Sequence, residues 1–140
     1  MIDFFYEGDF RLSSLDDYSH WINRVIESED AFLDNINYIF CEDEYLLKIN
    51  QKHLNHNTFT DIITFDYSAG HVISGDIFIS TERVKDNANV FNKTFQEELL
   101  RVMVHGILHL LGYNDKTKKE VIVMRSKEEE KIKMFHVEQN

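Results

Sequence analysis

The spacing of apolar side chains along the chain predicts five helices. From Ser13 or Ser14 to about Glu27, apolar residues recur three and four positions apart, and early hydroxyl and acidic residues satisfy the free backbone N–H groups at the helix start. The run Thr94-Phe95-Gln96-Glu97 has the capping-box pattern and opens a long apolar helix that stops at Gly112. The same spacing predicts further helices over residues 42–54, 80–90 and 118–135.

Short apolar runs between these helices predict the strands of one small sheet. Alternation is clearest around Ile77 and Ile79, as expected for a strand with two different faces. The predicted strands cover residues 2–6, 10–12, 35–41, 62–65 and 72–79. Strands interleaved with helices predict a mixed α/β (α+β) fold, in which a central mixed sheet of about four strands is packed with about five helices. Residues 1–140 are expected to form a single domain.

Composition is that of an ordinary soluble globular protein, with 43% apolar and 29% charged residues. Cys41 is the single cysteine, so no disulfide forms within the chain, which agrees with a reducing compartment. The start of the sequence lacks the basic region of a signal peptide, and no stretch approaches the roughly 18 uncharged apolar residues of a membrane span. We therefore expect a cytoplasmic protein with no membrane partner.

Acidic residues are concentrated in the first third of the chain. The net charge is −10, and residues 1–45 hold 12 acidic residues against Arg11 and Arg24. Residues 46–140 hold 13 acidic and 13 basic residues and are neutral overall. The acidic third argues against a polyanionic partner at that end, whereas the neutral remainder leaves room for a locally basic surface. The acidic third is equally consistent with a solvated face.

Two histidines on the predicted long helix have the spacing of metal ligands. His105 and His109 are four residues apart and therefore lie on one face, one turn from each other. Gly112 ends the helix, and Asp115 can return its carboxylate to the same point. Three protein ligands leave one position of a tetrahedral ion open, which is the arrangement of a catalytic zinc site. We predict one Zn²⁺ per chain; the alternative is two buried imidazoles without partners, which carries a desolvation cost.

The residues around this site resemble the YbeY family of bacterial endoribonucleases and rRNA maturation factors. The run His105-Gly106-x-Leu108-His109-Leu110-x-Gly112-Tyr113 is similar to the signature of that family. Further residues that match in order are Asn50, Thr60-Asp61-Ile62-Ile63-Thr64-Phe65, Gly75-Asp76-Ile77 and Met124. The resemblance covers about residues 45–135.

The resemblance implies a single YbeY-like metal-hydrolase domain with RNA as its substrate. It implies a zinc-dependent, single-strand-specific endoribonuclease that acts in rRNA maturation, at the 3′ end of 16S rRNA, and in ribosome quality control. The partners it implies are single-stranded RNA, rRNA and the small ribosomal subunit, and no DNA partner is expected.

Two positions depart from the family pattern. Asp115 stands where the family usually has a third histidine, and Leu54 stands where it usually has an arginine that is thought to contact the RNA phosphate. A carboxylate is an ordinary zinc ligand, so the first departure preserves the site. The missing positive charge puts the nuclease step in doubt. The candidates to supply the charge instead are Lys48, Lys52, His53 and His56; the alternative is that these four form a solvated helix face. The candidate aromatic side chains to border an RNA groove are His53, His56, Phe59, Tyr67 and Tyr113.

Two other functions stay open at this point. The histidine spacing is that of zinc proteases, but Gly106 occupies the place of their catalytic glutamate, which argues against peptide hydrolysis. The two alternatives are a metal-dependent hydrolase of another bond and a non-enzymatic ribosome-associated factor whose metal stabilises the fold. Asp61 and Asp76 are the candidate bases for catalysis.

Overall fold

A computed structural model describes residues 1–54 and 59–139 of the chain. Within these ranges the chain forms a four-stranded sheet and five helices, which confirms the predicted fold class. The elements in chain order are β1 (Ile2–Tyr6), α1 (Leu15–Ser28), β2 (Phe32–Cys41), α2 (Asp43–Leu54), β3 (Ile62–Asp66), β4 (Val72–Ser80), α3 (Thr81–Val90), α4 (Phe95–Leu110) and α5 (Lys118–Gln139).

The sheet has the strand order β1-β2-β4-β3 and is mixed. Strands β1, β2 and β4 run parallel, and β3 pairs antiparallel with β4 at the edge. Parallel neighbours need long crossover connections, and the helices α1 and α2 lie within those connections. Strand β3 therefore brings the segment around Asp61 to an edge of the sheet.

The two faces of the sheet are covered by different helices. Because side chains alternate along a strand, Ile77 and Ile79 of β4 point to one face, into the main core with α1, α4 and α5. Phe78 points to the other face, where it packs with Leu46 of α2 and Ile63 of β3. Helix α4 is the central helix of the main core.

Helix α4 is stabilised by a capping box at its N-terminus and by the burial of its apolar side chains. The predicted capping box is present: Thr94 Oγ accepts a hydrogen bond from the backbone N–H of Glu97 at 3.1 Å, and the Glu97 carboxylate accepts one from the backbone N–H of Thr94 at 3.0 Å. Most residues from Glu98 to Leu110 are buried. Within the two described ranges, no helix combines the length and the apolar character that crossing a bilayer requires.

One predicted strand and two predicted boundaries were wrong. Residues 10–12 form no strand, because Phe10 turns inward to pack against Phe40 and Phe95. Strand β2 begins at Phe32 and not at residue 35, since an irregularity in its pairing with β4 between Leu33 and Ile36 interrupts the alternation of apolar residues. Helix α5 continues to Gln139, past the predicted end at Phe135.

Two glycines let α4 lie close against the sheet. A Cβ atom on Gly75 would lie 2.5 Å from the backbone oxygen of Phe65 and 2.9 Å from Cδ2 of Leu110. A Cβ atom on Gly106 would lie 3.0 Å from Cγ2 of Ile77 and 3.1 Å from Cδ1 of Ile62. At Gly75 the atom closest to an added Cβ belongs to the backbone, whereas at Gly106 the closest atoms are the ends of side chains.

We expect Gly75→Ala to destabilise the fold by about 1–3 kcal/mol, because the neighbouring strand must move to admit the methyl group. Gly106→Ala is the matched comparison. Its side-chain neighbours can shift, and alanine favours a helix by about 1 kcal/mol over glycine, so its loss of stability should be smaller. Urea unfolding of both variants measures the difference. Equal losses, or a larger loss for Gly106→Ala, would contradict this account of the contact between α4 and the sheet.

Candidate metal centre

The structure brings His105, His109 and Asp115 together at the end of α4. The two Nε2 atoms lie 3.0 Å apart, and Oδ2 of Asp115 lies 3.2 Å from Nε2 of His105 and 3.4 Å from Nε2 of His109. Ligands held at about 2.0–2.1 Å around a tetrahedral ion are separated from each other by about 3.3 Å. The three side chains therefore have the separations that a single tetrahedral ion requires.

The backbone turn after α4 explains why the carboxylate returns to the histidines. Gly112 has a φ of 103°, a conformation that L side chains rarely adopt. Its N–H donates to the carbonyl of His109 at 3.0 Å, and the N–H of Tyr113 donates to the carbonyl of Leu108 at 2.9 Å. This pair of hydrogen bonds is a Schellman motif, which reverses the chain and places Asp115 beside the helix face that carries both histidines.

Hydrogen bonds at the Nδ1 atoms fix the direction of both imidazole rings. Nδ1 of His105 lies 2.6 Å from Oε2 of Glu128, and Nδ1 of His109 lies 3.0 Å from the carbonyl oxygen of Tyr113. A carboxylate and a carbonyl only accept hydrogen bonds, so both Nδ1 atoms carry the proton. In the neutral rings, both Nε2 lone pairs then face each other and Asp115. Such a set of three acceptors fits a metal cation.

Glu128 is the buried partner of His105 and belongs to a charged group between α4 and α5. Its side chain is 4% exposed, and its Oε1 accepts a hydrogen bond from Arg101 at 2.7 Å. A carboxylate that holds the far nitrogen of a liganding histidine orients the ring and makes it more basic. Burial lowers the pKa of His105, but the hydrogen bond and charge of Glu128, together with the charge of Asp115, outweigh burial and raise that pKa above its usual value.

Tyr113 is held by a second charged group, which joins the turn after α4 to α1 and α5. The Tyr113 hydroxyl donates to Oε1 of Glu29 at 2.5 Å, and Nζ of Lys131 and of Lys127 lie 2.8 Å and 3.1 Å from Oε2 of Glu29. Burial raises the pKa of Glu29, but the hydrogen bonds from Lys131, Tyr113 and Lys127 outweigh it and lower the pKa to about 2. Tyr113, whose backbone carbonyl orients His109, is therefore held in place by its side chain.

Two open depressions meet beside the three side chains and together form a groove. The part of the groove that both sides share is lined by Asp61, Ile62, His105 and Asp115. One side, here called the α2 lobe, is lined further by Asn50, Leu54, Phe59, Thr60, Ile63, Thr64, Asp66 and His109. The other side, here called the α5 lobe, is lined further by Asn87, Phe91, Glu98, Arg101, Val102, Val121, Met124, Arg125 and Glu128.

The two candidate bases lie in different places. Asp61 lines the shared part of the groove, and burial raises the pKa of its carboxyl, while the charge of His105 acts in the opposite direction. Asp76 points to the face of the sheet opposite α4, because its neighbours Gly75 and Ile77 in β4 face that helix. Its Oδ1 accepts a hydrogen bond from Asn37 at 2.9 Å. The structure therefore brings Asp61, and not Asp76, to the three side chains.

The predicted RNA contacts Lys48, Lys52 and His53 are not among the residues that line the groove, whereas two other residues of α2 are. Asn50 and Leu54, one turn apart, line the α2 lobe. Lys48 and Lys52 are each two residues from Asn50, which puts them about half a turn round the helix on its exposed side. The exposed ring of His53 lies edge-on to Phe65 at 6.0 Å. His56 lies outside the described residues.

Four charged residues beside the site escaped the sequence reasoning. They are Glu98, Arg101, Arg125 and Glu128. One signal was available, since the buried residues of α5 recur at intervals of four, three and four, at Met124, Glu128, Lys131 and Phe135. A glutamate and a lysine within a buried helical stripe need partners, and this indicates a charged network inside the fold.

Comparisons with known proteins agree over nearly the whole chain. The sequence pattern of the family described as Endoribonuclease YbeY matches residues 7–136. Endoribonuclease YbeY of Christiangramia forsetii is 57% identical over 138 residues, covering 99% of this chain and 96% of the relative. The Flavobacterium johnsoniae protein of the same name is 58% identical over 139 residues, covering 99% and 100%. A solution structure from Thermotoga maritima has a TM-score of 0.71 at 28% identity, covering 99% of this chain and 91% of the other.

We expect Glu128→Gln to lower zinc affinity about 10–100-fold, because a neutral amide orients His105 less firmly and makes it less basic. Competition with a chromophoric chelator measures the affinity. Glu129→Gln is the matched control, since the neighbouring Glu129 is exposed. Unchanged affinity in a folded Glu128→Gln protein would show that this carboxylate does not support the site.

We expect Glu29→Gln to lower the free energy of unfolding at pH 7 by about 2–3 kcal/mol, because the ionised carboxylate is stabilised by its two lysines and Tyr113. The pKa of Glu29 is lowered from 4.5 to about 2, so this contribution is complete above 4.5 and is lost as the pH falls toward 2. Denaturant unfolding at several pH values measures the gap between variant and wild type. The exposed Glu27→Gln is the control, and a gap that does not narrow in acid would contradict the assignment.

Proposed function

This chain belongs to the endoribonuclease YbeY family of hydrolytic nucleases, and on that premise we propose that it is a zinc-dependent, single-strand-specific endoribonuclease. Its proposed role is rRNA maturation at the 3′ end of 16S rRNA and ribosome quality control. One observation carries the proposal: His105, His109 and Asp115 converge with three acceptor atoms at the floor of an open groove.

His105, His109 and Asp115 would hold the ion. Two imidazole nitrogens and one carboxylate oxygen are a ligand set that suits zinc and leaves a fourth position open. When bound, the ion polarises a phosphoryl oxygen and makes a water molecule more acidic at neutral pH. The Asp115 side chain is 39% exposed, so the ligand set is accessible from the groove.

Asp61 is the base in this proposal. It lies in the shared part of the groove with His105 and Asp115, within the region where a scissile phosphate would sit. Burial raises the pKa of its carboxyl, and a base works best when its pKa approaches the working pH. The positive charge of a bound ion would lower this pKa, as the charge of His105 does. Asp61 would accept the proton of the RNA 2′-hydroxyl group, whose oxygen attacks the adjoining phosphate and displaces the 5′ oxygen of the next nucleotide.

The partners in this proposal are single-stranded RNA and the small ribosomal subunit, encountered in the cytoplasm. The groove is open along its length, which suits an extended strand that passes over the ion. Exposed His53, next to Leu54, stays a predicted RNA contact. The proposal treats residues 1–140 as one metal-hydrolase domain, because a single main core joins α1, α4 and α5 to the sheet.

A non-enzymatic ribosome-associated factor is the second candidate. Leu54 lines the α2 lobe at the place where the family usually has an arginine, and none of the described residues that line this lobe carries a guanidinium. A hydrolase of peptide bonds is disfavoured, because Gly106 stands in place of a catalytic acid and packs against Ile77 and Ile62, inside the fold.

We expect the purified protein to cleave single-stranded RNA, and a chelator to abolish the cleavage. Asp61→Asn should lower kcat about 10²–10⁴-fold because the base is lost. Asp76→Asn is the matched control and should retain activity, since Asp76 lies on the other face of the sheet. Cleavage of a labelled oligonucleotide measures all three rates, and elemental analysis checks that each variant keeps its metal.

Two outcomes would contradict the proposal. Wild-type protein that carries zinc but leaves single-stranded RNA intact would favour the non-enzymatic factor. Loss of activity in Asp76→Asn, with full activity in Asp61→Asn, would reverse the assignment of the base.

A further inference from the structure

The two lobes of the groove differ in their basic side chains. Within the described part of the chain, both arginines that line the groove, Arg101 and Arg125, lie in the α5 lobe. Both lobes also hold carboxylates: Asp61 and Asp115 are shared, Glu98 and Glu128 line the α5 lobe, and Asp66 lines the α2 lobe. Among the described lining residues, the arginines that a phosphodiester strand would meet therefore lie on the α5 side.

Arg101 and Arg125 are not equivalent. Arg101 is 21% exposed and is held by Glu128 at 2.7 Å and by Glu98 at 3.7 Å. Arg125 is 56% exposed, and its contact to Glu128 is 3.7 Å long. Arg101 is thus committed to a buried network, whereas the guanidinium of Arg125 can reorient toward a ligand. A planar guanidinium matches the oxygens of a phosphate with two parallel hydrogen bonds.

An exposed aromatic ring completes the α5 lobe. Phe91 follows α3, lines this lobe and is 55% exposed, although a phenyl ring gains free energy from burial. Proteins that bind single strands place such rings where nucleobases stack on them. The lobe encloses about 340 Å³, which lies within the size range of small-molecule sites and has room for one nucleotide.

We propose that the α5 lobe is a nucleotide subsite beside the cleavage point, in which Arg125 binds an RNA phosphate and Phe91 stacks on the adjoining base. This inference rests on the proposed function, because it describes how the same groove holds its RNA. It also supplies, from α5, the positive charge that Leu54 does not provide in the α2 lobe.

The test uses full-length, zinc-loaded protein and a short single-stranded RNA whose 2′-O-methyl sugars prevent internal attack. Fluorescence anisotropy over a series of salt concentrations gives the affinity and its salt dependence. Arg125→Ala should weaken binding and reduce the slope of log affinity against log salt by about 0.7, the value for one lost phosphate contact with a single strand. Lys85→Ala removes one exposed charge from the side of α3 that does not line the groove, and it should change neither quantity.

A second variant identifies the nucleobase that stacks on Phe91. Phe91→Ala should weaken binding at least about fivefold, the lower end expected for one lost stacked base. One abasic position in the oligonucleotide should weaken binding to the wild type by a similar factor and have no further effect on Phe91→Ala. That shared position identifies the nucleotide in the subsite.

The outcomes separate the two proposals. If the wild type cleaves unmodified RNA while Arg125→Ala and Phe91→Ala bind the modified strand as the wild type does, the subsite is overturned and the nuclease function stands. If the wild type neither binds nor cleaves single-stranded RNA, the proposed function fails and the subsite fails with it.

Discussion

The Nδ1 atoms of His105 and His109 donate to two groups that can only accept, the Glu128 carboxylate and the Tyr113 carbonyl. This constraint forces both Nε2 lone pairs toward Asp115 and toward each other at 3.0 Å. Without a cation or a proton between them, the three acceptors would repel. The capped central helix, the reversed turn after it and the buried charges of α5 all serve to maintain this arrangement, and the chemistry proposed for the groove depends on it.

Much of the fold follows from local sequence. The capping box and the apolar spacing predicted the central helix, and alternation predicted β4, because both signals are properties of adjacent residues. The start of β2 was missed because its pairing with β4 is irregular there, and that irregularity exists only in the assembled sheet. The loop at Phe10 has the composition of a strand, yet its side chain contributes to the core from an unpaired segment.

The residues of the candidate site also fall into those that local sequence predicts and those that only the folded chain reveals. His105, His109 and Asp115 lie within eleven residues, and helix periodicity with one glycine turn was enough to predict their convergence. Glu128 and Glu29 escaped prediction because they are distant in sequence, and only the packing of α5 and α1 reveals them. From the sequence, Asp61 and Asp76 were equally good candidates. Alternation along β4 directs Asp76 away from the site, but this is evident only once it is known which face of β4 contacts α4.

Segments that follow the ligands along the chain complete their environment. Helix α5 brings Glu128 to His105, and its lysines hold the glutamate that anchors Tyr113. During synthesis, His105 therefore leaves the ribosomal tunnel before Glu128, the carboxylate that orients its ring. In a nascent chain at that stage the ring of His105 would lack its carboxylate partner, so the three side chains would reach the geometry described above only after α5 has docked.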